Sequence, residues 1–209
     1  MLLLIRHGES TLNAEGRLVG RLDPALTERG ERQARAAGAL LGAVNEVVVS
    51  PLLRTRQTAE LLGASVPVRI DDRVIELDYG DLDGTKLSEV DPALWGRWYD
   101  DASFAPDGGE SLADLGARMR TVLEELFDAP GERARSKDAD VVIVSHVSPI
   151  KAAVAWALGV DDLVAWRLRL SNGSITRIDL GPRGPQLVGF NEVPSSAEAA
   201  EAAERSSGP

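Results

Sequence analysis

No cysteine occurs among the 209 residues, which excludes disulfides, thiolate nucleophiles and cysteine-held zinc. Histidine is almost as scarce, so imidazole chemistry must pass through His7 or His146. Basic charge is also short: 23 Lys and Arg stand against 33 Asp and Glu, a net charge of −10. That balance argues against a nucleic-acid binder, which needs a broad basic face. A few arginines lining a cleft can still override it locally and admit a small anionic substrate. Long apolar runs are missing too. Met1–Ile5 is apolar, but Arg6 stops the run too early for a signal peptide or a membrane span. The expectation is a soluble, cytoplasmic protein with neither nucleic acid nor membrane as partner.

With 44% hydrophobic and 27% charged residues, the chain suits one globular domain able to bury a sizeable core. Leu2–Ile5, Glu46–Val49, Pro67–Ile70 and Val141–Val144 are short apolar or β-branched runs, as in parallel strands covered on both faces. Helical patterns alternate with them, which implies an α/β sheet with crossover helices. Thr27 is placed to cap a helix ending near Gly42, and Ser111 to cap another reaching about Phe127, with Asp114 completing a capping-box-like start. Ser50-Pro51 and Ser148-Pro149 follow strands directly and read as helix starts, closing near Gly63 and Gly159. Arg167–Leu170 and Ile175–Ile178 alternate around Asn172-Gly173, which reads as an edge hairpin. The expected domain is 1–193, without repeat or internal linker. Residues 194–209, dominated by Ser, Ala, Glu and Gly, read as a disordered tail.

Both histidines lie just past the end of an expected core strand, Leu2–Ile5 for His7 and Val141–Val144 for His146. In open α/β sheets ligands bind beyond the carboxyl ends of the strands. A third strand ends at Ser50-Pro51 and a helix whose first turn carries Arg54. Two histidines and two arginines, Arg6 and Arg54, therefore converge on one edge. Phosphoryl transfer needs this set. Guanidinium forks match oxygens that share the transition-state charge, and a neutral imidazole is a competent nucleophile near pH 7. The alternatives are plain: a lone strand-end histidine is more often a hydrogen-bonded loop residue, and a lone helix arginine is usually solvated. A two-histidine metal site fits poorly. Neither His-x-His nor His-Glu-x-x-His spacing occurs, and adjacent arginines repel a cation.

The string Leu4-Ile5-Arg6-His7-Gly8-Glu9-Ser10, followed by Asn13, resembles the Arg-His-Gly signature of the histidine phosphatase superfamily, which includes phosphoglycerate mutases and many small-molecule phosphatases. Ser50–Ala59, Glu76–Gly84 and Ser145-His146 are similar to its second, third and fourth motifs, in order, over about residues 1–193. The resemblance implies a three-layer α/β sandwich with a mostly parallel central sheet and helices on both faces. It implies His7 as the phosphorylated nucleophile, with Arg6, Arg54 and His146 on the phosphoryl oxygens and Asn13 donating a further hydrogen bond. Glu76, one of many acidic residues on chemistry alone, would be the general acid and base. Hydrolysis in the superfamily needs no metal or organic cofactor.

Departures bear on which activity to expect. Val147 stands where many relatives carry glycine, so its backbone N–H would reach the phosphate from an altered loop. Ser-His-Val-Ser-Pro-Ile-Lys151, with Pro106–Ser111, is most similar to the acid phosphatase half of actinobacterial ribonuclease H fusions, and also resembles α-ribazole phosphatases. No ribonuclease H half is expected here. Val19 and Arg21 replace groups usual in mutases; Arg21 reads first as solvated and second as a substrate contact. Residues 85–107 hold two cations against five anions, net −3, where a mutase needs a long basic cover over a highly anionic intermediate. Hydrolysis of a small phosphomonoester is therefore expected ahead of mutase activity, and a phosphoprotein-binding module without turnover ranks last. Leu94, Trp95, Trp98 and Tyr99 form one helix face expected to pack on the domain, with a role beside the leaving group as the second reading. Asp107-Gly108-Gly109 reads first as a turn. Oligomeric state is not legible; a homodimer is the one assembly kept in view.

Overall fold

The computed structural model describes residues 1–128 and 139–195. The elements run β1 (Leu2–Arg6), α1 (Thr11–Ala14), α2 (Glu28–Ala39), β2 (Val44–Val49), α3 (Leu53–Leu61) and β3 (Val68–Ile70). Then follow α4 (Pro92–Asp100), α5 (Leu112–Asp128), β4 (Asp140–Ser145), α6 (Val147–Leu158), β5 (Ile175–Gly181) and β6 (Gly184–Glu192). The strands form one sheet in the order β3-β2-β4-β1-β5-β6. The first four are mutually parallel, and β5 and β6 join antiparallel.

Side chains alternate across a strand, so each apolar run feeds two cores. Leu2, Leu4, Val48, Ile143 and Ile178 face the layer of α5 and α6, meeting Leu115, Met119, Leu123 and Ile150. Leu3, Ile5, Val47, Val49, Val142 and Val144 face the opposite layer, against Ala37 of α2 and Ala59 of α3. The result is the three-layer sandwich. Among the described residues, no helix is long and apolar enough to cross a membrane.

Several local expectations need correction. The Arg167–Leu170 strand does not form: a 3₁₀ turn over Asp162–Arg167 takes its first residue, and the hairpin is β5–β6, turning at Pro182-Arg183. β1 is the partner of β5 instead, with Leu2 opposite Ile178, because that pairing buries Ile175 and Ile178 in the cores. Pro67–Ile70 shortens to β3 at the sheet edge, where Val68 is 57% and Ile70 56% exposed. Neither serine of the Ser-Pro pairs is an N-cap: Leu52 precedes α3 and His146 precedes α6, both without a side-chain cap. Their polar atoms are committed to the site described below. Thr27 and Ser111 do cap α2 and α5, and Asp114 completes the latter as expected. Trp98 is fully buried against Phe104, Trp95 and Trp166, so the aromatic face packs on the domain. Asp107-Gly108-Gly109 is a turn laid backbone to backbone on Gly80. The tail expected to be disordered lies, beyond Ser195, outside the described residues.

α2 touches the end of β1 without side chains between them. A Cβ on Gly30 would overlap the Glu9 carbonyl, and one on Gly8 would overlap the Gly30 carbonyl. Gly30→Ala should therefore cost about 1–3 kcal/mol, the usual penalty of overpacking, and lower activity by displacing His7. Gly42→Ala, with nothing within 4 Å of its Cβ, should stay within about 0.5 kcal/mol of wild type. Urea unfolding of both variants checks the contrast.

Candidate active site

β1 and β4 pair with Ile5 opposite Val144 and Arg6 opposite Ser145. The next residues in that register are His7 and His146, whose rings lie 5.1 Å apart between centroids. β2 ends beside them. Ser50 N–H donates to the Val144 carbonyl (3.1 Å), and Ser50 Oγ lies 2.7 Å from His146 Nε2. The α3 helix then brings in Arg54, which is fully buried.

The tautomer of His7 follows from its partners. Nδ1 lies 2.7 Å from the Gly8 carbonyl, which can only accept, so Nδ1 carries the proton. The lone pair is thus on Nε2, where Arg54 Nε donates at 3.3 Å. Burial foremost, then the charges of Arg54 and Arg6, push the His7 pKa well below 6.5. His146 is lowered likewise, by burial first and then by Arg54. Burial also lowers Arg6, to about 10, which leaves it charged at neutral pH. Arg6 Nε and His146 Nδ1 are buried and have no hydrogen-bond partner among the described residues.

Glu76 arrives from β3 through a pinned segment. Asp71 accepts from Arg73 (Nε 3.0 Å, Nη2 2.8 Å) and Arg69 (2.7 Å), and those bonds, Arg73 foremost, hold its carboxyl far below the usual range. Ser145 Oγ donates to the Val74 carbonyl (2.6 Å), and Arg118 to the carbonyls of Arg73 (2.6 Å) and Glu76 (3.1 Å). The buried Glu76 carboxylate then meets the start of α6. Oε1 accepts from Leu77 N–H (2.8 Å) and Ser148 N–H (3.1 Å), and Oε2 from Val147 N–H (3.1 Å). A helix N-terminus favours an anion, and here the anion is this side chain. The Val147 N–H, expected to be free for phosphate, is therefore engaged. α3 shows the same pattern, with Leu53 N–H donating to Asp23 (2.6 Å).

The mouth of the site is built from loops. Arg54 donates to the carbonyls of Leu22 (2.7 Å) and Gly20 (2.9 Å), while Asp83 accepts the N–H groups of Gly20, Arg21 and Leu22 at 2.7–2.8 Å. Segment 20–22 is thus clamped from both sides. Arg21 is not the solvated residue first expected. Its guanidinium lies 3.4 Å from Asp78 and 3.6 Å from Glu110, near enough for charge pairing, though Nε makes no aligned hydrogen bond. Asn13 Oδ1 accepts from Ser10 Oγ (2.9 Å) and Asn172 Nδ2 (3.3 Å), which leaves its own amide nitrogen without a partner among the described residues. Tyr79 stacks edge-on to Trp98 at 5.9 Å, and its hydroxyl bonds with Ser148; burial foremost raises its pKa. Among the described residues, no three His, Cys, Asp or Glu side chains gather as a metal-ligand set.

His7, His146, Arg6, Arg54 and Glu76 thus share one buried site, with Asn13 and Arg21 at its mouth. Sequence reasoning missed Ser50, Thr58, Tyr79, Asp83 and Asn172. Thr58 Oγ1 accepts from Gly8 N–H (3.1 Å) and donates to the Arg54 carbonyl (2.7 Å), tying two site residues together. Asn172-Gly173, read as a hairpin turn, instead clasps the end of β1: Gly173 N–H points at the carbonyls of Arg6 and His7 (both 3.1 Å). Nothing in residue type alone marks these positions.

The fold and site define an α/β protein with two neutral imidazoles and two guanidiniums at the carboxyl ends of its central parallel strands. The chain belongs to the histidine phosphatase superfamily (branch 1), whose family profile matches residues 2–193. It is 37% identical over 195 residues to a bifunctional protein of Mycobacterium tuberculosis, covering 90% of this chain and 52% of that protein. It is 35% identical over 198 residues to phosphoserine phosphatase 1 of Hydrogenobacter thermophilus, covering 91% of each. Among solved structures it resembles mycobacterial glucosyl-3-phosphoglycerate phosphatase with VO3, at TM-score 0.83 and 33% identity, covering 91% of this chain and 98% of that one. The chain spans about half the length of the bifunctional relative it matches.

Two buried neutral histidines fix a pH dependence. The unfolded imidazoles take up protons below their ordinary pKa of about 6.5, whereas the folded ones, lowered by burial, do not. Stability should be full above that value and fall as pH drops below it. Urea midpoints at pH 7.5 and 5.5 should differ in that direction, and His7→Asn should shrink the difference. Asp71, whose folded pKa is lowered, adds its own loss only below about pH 4.

Proposed function

We propose that this protein hydrolyses phosphomonoesters of small metabolites through a phosphohistidine on His7, without a metal. The observation that carries the reading is a pair of buried groups without a hydrogen-bond partner among the described residues, Arg6 Nε and His146 Nδ1, on residues next to His7 in sequence and in space. Buried polar atoms are ordinarily paired, and both of these are suited to an anionic oxygen. In this reading Ser50 Oγ donates to Nε2, so His146 keeps its proton on Nδ1 and acts as a donor. The phosphatase names of two relatives support the same chemistry.

In this reading Nε2 forms the N–P bond as the P–O bond to the alcohol breaks, and Glu76 gives its proton to the departing oxygen. Arg6, Arg54, His146 Nδ1 and the Asn13 amide hold the three equatorial oxygens, supplying fixed charge that a metal would otherwise provide. A protonated Glu76 accepts fewer hydrogen bonds, so Val147 N–H becomes available to the phosphate at that stage. Glu76, now a carboxylate, takes a proton from the water that attacks phosphorus. The N–P bond breaks and phosphate leaves. Hydrolysis is preferred to the mutase alternative because segment 85–107 is net −3 and Arg21 is already paired with Asp78 and Glu110. Little then holds a bisphosphorylated intermediate for return of the phosphoryl group.

His7→Ala should abolish both turnover and acid-labile phosphate incorporation, read by rapid-quench labelling and fragment mass spectrometry; label on His146 or a serine would displace the assignment. Glu76→Gln should reduce turnover of alkyl phosphates by about 10²–10⁴-fold and of p-nitrophenyl phosphate far less, since that leaving group needs little protonation. With EDTA present, phosphate release should persist. NMR of 3-phosphoglycerate with catalytic 2,3-bisphosphoglycerate should show little 2-phosphoglycerate; rapid conversion would favour the mutase instead.

A further inference from the structure

Lys151 is a half-buried cation that the proposed chemistry does not use. It sits on the second turn of α6, four residues after Val147 and three after Ser148, the two residues whose N–H groups hold Glu76. Residues three and four apart share a helix face, and helical side chains lean toward the N-terminus. The Lys151 stem therefore runs toward the Glu76 end of the helix. Consistent with that, Glu76 and Arg6 both bear on its ionisation, while burial foremost lowers its pKa. It makes no hydrogen bond or ion pair among the described residues. A partly desolvated ammonium without a partner is costly.

Arg21, Arg118, Arg6 and Arg54 are already engaged. Arg21 lies against Asp78 and Glu110, and Arg118 is held by Glu110 (2.6 Å) and two carbonyls. Arg6 and Arg54 donate to carbonyls and together match the two charges of a phosphomonoester. Glu76 is the group proposed to meet the leaving oxygen, so a cation one turn above its N–H donors lies on the leaving-group side.

We infer that Lys151 is a specificity-determining cation for a carboxylate on the leaving alcohol, which makes the favoured substrates phosphorylated hydroxy or amino acids. The inference rests on the phosphatase reading above. One compact ammonium suits a singly charged group. A second phosphate would bring two charges where Lys151 offers one. The carboxylate joins the Lys151 ammonium by a charge-assisted hydrogen bond outside the reacting atoms, so it acts on both ground and transition states.

The test is a matched pair, 3-phosphoglycerate and glycerol 3-phosphate, which differ by a carboxylate in place of a hydroxymethyl group. The wild type should favour 3-phosphoglycerate in kcat/KM by about 10- to 100-fold, the range for a hydrogen bond to a charged group, with most of the difference in KM. Lys151→Met should bring the ratio close to one, and Lys151→Arg should restore most of it. Because the ratio is taken within one preparation, a partly unfolded variant does not distort it. Equal efficiency in the wild type, or a ratio unchanged in Lys151→Met, overturns this inference alone. Phosphate release from neither substrate, nor from any other monoester, overturns the phosphatase reading and this inference with it.

Discussion

The parallel register of β1 against β4 is the constraint on which the site depends. Because side chains alternate, a slip of one residue would turn His7 into the face that Arg6 now occupies and send the apolar run into the wrong cores. The register is held by burial on both faces: Leu3 and Ile5 cannot leave the α2–α3 layer, nor Leu2 and Leu4 the α5–α6 layer. The same packing that stabilises the sheet therefore places the two imidazoles side by side. Ser50 and Arg54 follow because β2 pairs with the other edge of β4, Val49 opposite Val144.

Such a cluster is costly to bury, and the surroundings show how the cost is offset. Arg54 is wrapped in backbone carbonyls rather than a carboxylate, which keeps its charge available to an incoming anion while satisfying its donors. Asp83 takes the N–H groups of the same loop, so the peptide units lie between a cation and an anion with their dipoles aligned to both. The imidazoles are kept neutral, which removes the repulsion that two further cations would add. Two buried groups of this cluster, Arg6 Nε and His146 Nδ1, have no hydrogen-bond partner among the described residues.

Glu76 shows a different economy. The amino end of α6 would bind a phosphate oxygen in many α/β proteins, but here an internal carboxylate caps it. Three N–H donors fix the carboxylate, and Asp71, Ser145 and Arg118 fix the backbone that carries it. The bonds that cap α6 are thus the bonds that hold Glu76, and Lys151 follows Val147 and Ser148 on the same helix face.

Much of this was legible in the chain. Apolar runs of four or five residues identify strands buried on both faces, because no other element needs so many consecutive apolar positions in so short a span. Residues directly after those runs must fall at one sheet edge, so His7, His146 and Arg54 converge whatever the loops do. Which residues complete the site was decided by tertiary structure. Asn172-Gly173 has the local chemistry of a hairpin turn, yet β1 offered β5 a buried partner that Arg167–Leu170 could not. Ser50 and Ser148 have the chemistry of N-caps, yet His146 and Tyr79 took their hydroxyls, and Asp23 and Glu76 took the helix N–H groups. Val147 and Arg21 likewise have polar groups that the sequence leaves free and the fold pairs with Glu76, Asp78 and Glu110. Local propensity sets what a residue can bond, within a few neighbours. Burial of the sheet on both faces sets which distant partner arrives first.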